Sequence, residues 1–263
     1  MPELPEIETV KLQLQKVLVG QTCIKSDLKE IEGKEVLEVK RLGKVLLINF
    51  GPNLDLGFHF KMTGQLIYDD GKRRVAGGHP SEDFVAKLPN KHTRMMFHLS
   101  GGTLYFNDMR KFGWVRINPK FTLGEDALKI TTIGFLRLLG KLKKPIKIAI
   151  MDQTLIAGVG NIYANDALWE SGIDPRVTSN KVTSDKAELL LKKIKLVLRE
   201  GIKYGGASVS DYVNSHGVGG TYQDHMRVYK KEGEKCKRCK SIIEKIVLGG
   251  RGTYYCPKCQ NAK

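Results

Sequence analysis

The spacing of four cysteines leaves the C-terminal end of this chain few ways to fold. Cys236-Lys237-Arg238-Cys239 and Cys256-Pro257-Lys258-Cys259 are two C-x-x-C pairs with sixteen residues between them. That is the spacing of a tetrahedral zinc site, in which each pair offers two thiolates to one side of an ion. Ser241 to Tyr255 then reads as a hairpin that returns the chain. Two disulfides are the other use of four cysteines. However, four of the five cysteines crowd into the last 28 residues, and the start, Met1-Pro2-Glu3-Leu4-Pro5-Glu6, is acidic and unlike a secretory signal. A reducing, cytosolic compartment and one structural Zn2+ are therefore the better reading. Structural zinc contributes on the order of 10 kcal/mol to a segment too small to hold a core. Lys231, Lys235, Lys237, Arg238, Lys240, Lys245, Arg251 and Lys258 surround these cysteines with positive charge.

Charge narrows the function further. The chain of 263 residues carries a net charge of +16, unevenly spread. Residues 1–130 hold 20 basic and 16 acidic side chains, and residues 131–263 hold 24 and 12. An excess concentrated beside a metal-stapled hairpin favours nucleic acid as the partner. A membrane surface fits less well, because no basic amphipathic segment has a broad exposed aromatic face. No apolar run is long enough to span a bilayer. The composition, 41% apolar and 27% charged, suits a globular monomer.

Periodicity divides the chain in two. Ile7, Val10, Leu14, Val17 and Leu18 recur at helical spacing from Pro5 to Leu18, and Gly20 stops them. Short β-like stretches follow at 35–40, 45–50, 57–68, 93–99, 103–106 and 114–117, a pattern expected of a β-sandwich. Asp69 to Pro89 reads as an exposed loop. Residues 131–145, ending in Gly140-Lys141-Leu142-Lys143-Lys144-Pro145, read as a linker. Helices are expected over 146–157, over 161–171 and from a Ser184 cap to Gly205-Gly206. The expected class is α+β: an N-terminal β-sandwich over 1–130, a helical region over 146–222 and a zinc hairpin over 223–263.

The first residues offer chemistry of their own. Methionine is normally trimmed before so small a residue as Pro2, leaving a secondary amine. A terminal amine titrates near roughly 7.7–8.0, so part of it is neutral at physiological pH. The positive end of a following helix disfavours its protonated form further. Attack on an aldehyde-level carbon gives an iminium, which acidifies neighbouring C–H bonds. Glu3 and Glu6, three residues apart, fall on one helical face near that amine and suit proton transfer. The plainer reading is that Pro5 and the acids merely start a helix.

Pro2-Glu3-Leu4-Pro5-Glu6 at one end and the four-cysteine hairpin at the other resemble the formamidopyrimidine-DNA glycosylase family. Asp108-Met109-Arg110-Lys111-Phe112-Gly113, Met151-Asp152-Gln153 and Gly158-Val159-Gly160-Asn161-Ile162-Tyr163 look like its motifs in the same order. The resemblance covers the whole chain. It implies a helix-two-turn-helix module and a zinc finger that grip DNA. It also implies a bifunctional repair enzyme that removes 8-oxoguanine and formamidopyrimidines and cuts the strand at abasic sites. Its partner is double-stranded DNA carrying those lesions, and its place is the bacterial cytoplasm, on the nucleoid when bound.

By that resemblance Pro2 attacks the anomeric carbon, Glu3 transfers protons at the sugar ring, Glu6 tunes it, and Lys44 contacts phosphate and assists elimination. Met62, Arg110 and Phe112 match residues that fill the gap left by the flipped base; their chemistry suits stacking and pairing with an orphaned base. Taken alone, Met62 and Phe112 read as core residues. The Gly158–Asn161 turn offers N–H groups at a helix start, and its position supports Asn161 as a phosphate ligand. His59, Tyr229 and Arg251 match backbone contacts. The 205–220 stretch, with Tyr212, Asn214 and His216, corresponds to a loop that covers the base. Cys23 reads as a small buried hydrophobe.

Three positions depart from the family pattern: Lys61 where glycine is frequent, Met109 for valine or proline, and Val45 for tyrosine. Two rival readings stand beside the first. One is an endonuclease VIII-like enzyme for oxidised pyrimidines, which Leu4 disfavours. The other is a zinc-finger DNA-binding paralogue without catalysis.

Overall fold

A computed structural model describes residues 1–78, 86–207 and 220–261. The chain divides into two compact units, Met1–Phe121 with Gly201–Gln223, and Thr122–Glu200 with Asp224–Lys263.

The first unit opens with α1 (Leu4–Leu18), followed by β1 (Cys23–Ser26), β2 (Glu38–Leu42), β3 (Val45–Asn49), β4 (Asp55–His59) and β5 (Gly64–Asp69). β6 (Arg74–Gly78), β7 (Thr93–Leu99), β8 (Gly102–Asp108) and β9 (Trp114–Ile117) complete it. Two sheets form, in the orders β1-β7-β8-β5-β6 and β2-β3-β4-β9. Ile7, Val10 and Leu14 of α1 share one buried cluster with Val39, Leu46 and Phe58 of one sheet and Leu66, Phe97 and Phe106 of the other. Alternation along each strand aims these side chains inward, so the expected sandwich follows from period-two patterning. Cys23 is fully buried in the same cluster, as expected of a small hydrophobe.

Two sequence readings need correction in this unit. The stretch 57–68 is two strands rather than one, because a tight turn interrupts it. The Gly64 N–H donates to the Phe60 carbonyl at 2.8 Å, and Lys61 takes a left-handed φ of +49°. The supposed loop at 69–89 contains β6. Asp70 accepts the Lys72 and Arg73 N–H groups at 2.9 and 2.8 Å, turning the chain so that Arg74 pairs across from Asp69. The strand was hidden because its small residues carry no hydrophobic alternation. Gly77 has to be small, since a Cβ there would strike Val10.

The second unit contains β10 (Glu125–Asp126), α2 (Thr132–Gly140), α3 (Ile146–Met151), β11 (Ile156–Ala157), α4 (Asn161–Ser171) and most of α5 (Ser184–Lys203). The antiparallel hairpin of β12 (Glu244–Leu248) and β13 (Arg251–Tyr255) belongs to it as well. Helix α2 occupies much of the stretch 131–145 that composition marked as a linker. Thr131 caps it by accepting the Gly134 N–H at 3.1 Å, and Phe135 and Leu139 bury one face. The helix expected over 146–157 stops at Met151. Asp152 accepts the Thr154 N–H at 3.0 Å, a local turn that competes with helix continuation. Gly201–Gln223, which but for Gln223 reads from sequence as part of the helical region, groups instead with the first unit.

Glu170 is the ionic hub of the second unit. It accepts from Arg227 at 3.0 Å, Lys193 at 3.2 Å and Arg238 at 2.9 Å. Burial works against the charged form, but Arg227 and Lys193 hold its carboxyl below the ordinary value of 4.5. A lowered carboxylate contributes stability that is present above pH 4.5 and lost as pH falls below it. We expect Glu170→Ala to cost roughly 2–3 kcal/mol at pH 7, because three cations lose a largely buried partner. Urea unfolding at pH 7 and pH 4 measures this, and an equal cost at both pH values would contradict it.

Candidate active site and metal centre

At the chain start, Glu3 is the N-cap of α1, and Glu3 and Glu6 form a reciprocal capping box. The Glu6 carboxylate accepts the Glu3 N–H at 2.8 Å with one oxygen and the Ala207 N–H at 2.9 Å with the other. Gly206, with φ +90°, lies so close that a Cβ would sit 2.8 Å from Glu6. Glu3 and Glu6 are both buried, and Pro2 beside them is partly exposed. Two buried carboxyl groups thus lie in the first turn of α1, directly after Pro2 in the chain, and carboxyl groups are suited to proton transfer. Gly205 to Ala207 and Gly220 are described here; Tyr212, Asn214 and His216 lie outside the described residues.

Lys44 is buried at the Gly43-Lys44 tip joining β2 to β3, where Leu42 pairs with Val45. Arg41 ties that tip to α1: its Nε donates to Glu8 at 2.6 Å and its Nη1 to the Gly43 carbonyl at 3.1 Å. Burial opposes ionisation of Glu8, yet Arg41 and Lys11 hold its carboxyl below the ordinary range. Neither Arg41 nor Glu8 stood out in the sequence, since each reads as an exposed charge.

Met62, Arg110 and Phe112 lie on two turns joined by Asp108. Its carboxylate accepts from the Thr63 hydroxyl, from the Arg110 N–H at 3.2 Å and from the Gly113 N–H at 2.6 Å. The Arg110 guanidinium stacks on Phe112, 4.7 Å from the ring centroid. Met62 is 45% exposed and Phe112 is 55% exposed, so the alternative reading of both as core residues is excluded. Met109 joins them at 49% exposure. Asp108 has no role that the sequence by itself reveals. Its signal was an acid two residues before a cation in a glycine-bounded turn.

In the second unit the side chain of Gln153 shapes the turn before α4. It donates to the Met151 and Val159 carbonyls at 2.8 and 2.7 Å and accepts the Gly158 N–H at 2.9 Å. Asn161 opens α4 and donates to the Gly252 carbonyl at 3.1 Å, next to exposed Arg251. The buried Lys147 ammonium donates to the same carbonyl at 3.0 Å and to the Thr253 hydroxyl at 2.7 Å. Tyr229 packs edge-on against Tyr254 at 5.3 Å, and Asp166 accepts its N–H at 3.3 Å. Asn161, Tyr229 and Arg251 are therefore brought together around β13. Lys147 was missed because a lysine in an apolar helix ordinarily points to water.

The four sulfurs of Cys236, Cys239, Cys256 and Cys259 lie within 4.8 Å of one another. A tetrahedral Zn–S shell with bonds of about 2.3 Å separates its sulfurs by about 3.8 Å. Cys236 and Cys259 are 3.8 Å apart and Cys239 and Cys256 are 3.3 Å apart, too far for disulfides. The Ser241 hydroxyl and N–H bring Cys239 down to about 6, whereas burial and the neighbouring sulfurs push Cys259 upward. Four thiolates repel one another unless a cation sits among them, so this donor set fits zinc. Trp169 closes the cluster, and the Arg238 guanidinium lies 3.7 Å from its ring centroid.

Three family models match the chain in order. They are the formamidopyrimidine-DNA glycosylase N-terminal domain over 1–115, the formamidopyrimidine-DNA glycosylase H2TH domain over 123–213, and the zinc finger found in FPG and IleRS over 233–262. The formamidopyrimidine-DNA glycosylase of Pelotomaculum thermopropionicum is 38% identical, with 100% of both chains covered. The chain belongs to the formamidopyrimidine-DNA glycosylase family. The Carboxydothermus hydrogenoformans member is 34% identical over 99% of this chain and 100% of its own. A Lactococcus lactis Fpg solved with abasic-site DNA matches at a TM-score of 0.84 and 31% identity, over 98% of this chain and 99% of its own. The wild-type L. lactis enzyme has also been solved with DNA containing an oxidised pyrimidine; it matches at a TM-score of 0.83 and 31% identity, over 99% and 100%. Among the described residues, no helix is long and apolar enough to cross a membrane.

Proposed function

We propose that this chain is a bifunctional DNA glycosylase and abasic-site lyase for oxidised purines, working on the bacterial nucleoid. What carries the reading is the buried, reciprocally capped pair Glu3 and Glu6 at the start of α1, immediately after Pro2 in the chain. The L. lactis relatives solved with Fapy-dG DNA and abasic-site DNA support the same substrate class.

Once Met1 is removed, the Pro2 nitrogen forms a bond to C1′ of the damaged nucleotide while the C1′–base bond breaks; the base leaves with the electron pair and takes a proton from water. The Pro2 nitrogen sheds its proton to Glu3, which delivers it to the ring oxygen as the C1′–O4′ bond breaks and the sugar opens, leaving an iminium between Pro2 and C1′. That electron sink acidifies the C2′ hydrogen. Loss of that proton expels the 3′ phosphate, and a second elimination expels the 5′ phosphate. Lys44 holds phosphate charge during these steps, and Glu6 keeps Glu3 in place. Met62, Arg110 and Phe112 fill the gap in the stack. Asn161, Tyr229, Arg251 and His59 hold the backbone, and zinc holds the hairpin that carries Arg251.

Borohydride reduces the iminium, so a covalent complex with an 8-oxoguanine·cytosine duplex is expected on denaturing gels. Failure to trap on both purine and pyrimidine lesions, with zinc-loaded protein lacking Met1, would sink the enzymatic reading. The oxidised-pyrimidine complex of the L. lactis relative supports a wider lesion range, and a thymine glycol duplex in the same assay ranks the two classes.

A further inference from the structure

β4 ends at His59 and β9 begins at Trp114, and the two residues are paired across the strands. Their rings lie 5.7 Å apart at 45°. Trp114 is itself held, stacked on Phe121 at 5.8 Å and flanked by the Arg116 guanidinium at 5.1 Å. The other anchor of the imidazole is backbone: the Lys61 N–H donates to His59 Nδ1 at 3.0 Å. That bond closes a turn in which Lys61 takes a φ of +49°, the conformation for which glycine is the usual residue. A backbone N–H can only donate, so Nδ1 is the bare nitrogen and Nε2 carries the hydrogen. Adding a proton to Nδ1 would set two N–H groups against each other.

We propose that Trp114 is a positioning residue which, with the Lys61 amide, makes His59 a tautomer-locked, uncharged Nε2–H donor to a DNA phosphate oxygen. The inference rests on the reading of His59 as a backbone contact. It divides labour at the site: His59 supplies direction, while neighbouring lysines supply charge. The charged groups acting on the ring are Lys61 in its own turn and Lys44 at the β2–β3 tip; the Arg116 guanidinium on β9 lies against Trp114. Burial first, then Lys61 and Lys44, lower the imidazole from 6.5 to about 4, in agreement with the geometry. A neutral donor displaces no condensed counterion, whereas a cationic contact does.

The test measures affinity against salt concentration at pH 7.5, using a duplex with a tetrahydrofuran abasic-site analogue. His59→Ala is expected to weaken binding roughly tenfold with the salt slope unchanged, whereas Arg251→Ala, the cationic control, flattens the slope by about one contact. A His59→Ala slope that falls by a full contact overturns the inference and leaves the backbone-contact reading intact. Unaltered affinity in His59→Ala removes that reading itself. Trp114→Leu is expected to move the His59 NMR titration midpoint from about 4 toward 6.5, with Trp114→Phe restoring the low value. A midpoint that stays near 4 in a folded Trp114→Leu protein eliminates Trp114 as the positioning residue. If the leucine variant does not fold, the midpoint of the phenylalanine variant and the His59→Ala slope decide.

Discussion

A protein that keeps Met1 in front of Pro2 is expected to bind lesion DNA normally and to form no borohydride-reducible adduct with it. The reason lies in the nitrogen. Inside a peptide bond its lone pair is delocalised into the carbonyl, so it cannot attack carbon. As a free terminus it is a secondary amine near the positive end of α1, where the protonated form is disfavoured. The cations assigned to DNA binding lie elsewhere in the sequence, so affinity should persist while turnover falls on the order of 10³-fold or more, the scale seen when a covalent nucleophile is lost. Glu3→Gln tests the partner group. It cannot deliver a proton to the ring oxygen, and general-acid removal typically costs 10²- to 10⁴-fold, roughly. Mass spectrometry of the reduced complex decides the matter, because an adduct on a chain that still carries Met1 would refute the proline chemistry.

Removal of zinc should be the most damaging change to DNA binding. The buried cluster beneath the hairpin is Trp169, Val228, Cys236, Ile243 and Cys256, so two of its five members are themselves ligands. Without the ion, nothing of comparable strength holds β12 and β13 together, since metal binding in such a segment is its folding free energy. The loss spreads to neighbours. Gly252 and Thr253 of β13 satisfy the buried Lys147 ammonium, Gly252 also receives the Asn161 amide, and the Tyr254 N–H donates to Asn165 at 2.8 Å. An uncompensated buried ammonium costs roughly 3–5 kcal/mol. We expect Cys256→Ser, or prolonged chelation, to abolish bound zinc and to lower affinity for an abasic-analogue duplex at least about 100-fold, a loss that matches about 2.7 kcal/mol. The β-sandwich should keep its far-ultraviolet signature. Metal analysis showing no zinc alongside undiminished affinity would show that the hairpin does not need the ion.

The parts of the fold legible in the sequence were those with a strong local period. α1, α4 and α5 repeat apolar residues at helical spacing or are bounded by glycine, and all three appear where expected apart from their terminal residues. β6 and α2 were hidden for opposite reasons. The first has too little hydrophobic contrast, and the second sits against a lysine-rich stretch that resembles a linker, although Thr131 caps it and Phe135 anchors it. The sequence overextends α3 because apolar character continues past Met151, while the Asp152 turn that ends the helix is made by one side chain.

For the site the division is similar. The four cysteines declared themselves by type and spacing, because a thiolate ligand is a property of the residue, whereas Pro2 and Glu3 read by themselves as a helix start and take their proposed chemistry from the family resemblance. What organises them was invisible in one dimension. Asp108 receives Thr63 across 45 residues and Glu6 receives Ala207 across 201, and the His59 ring is fixed by the Lys61 N–H beneath Trp114 of another strand. Chain order alone therefore determined which groups are available to bind metal and attract phosphate. Their protonation, exposure and aim were decided by folding, because burial and hydrogen-bond partners come from residues that only tertiary contact makes neighbours.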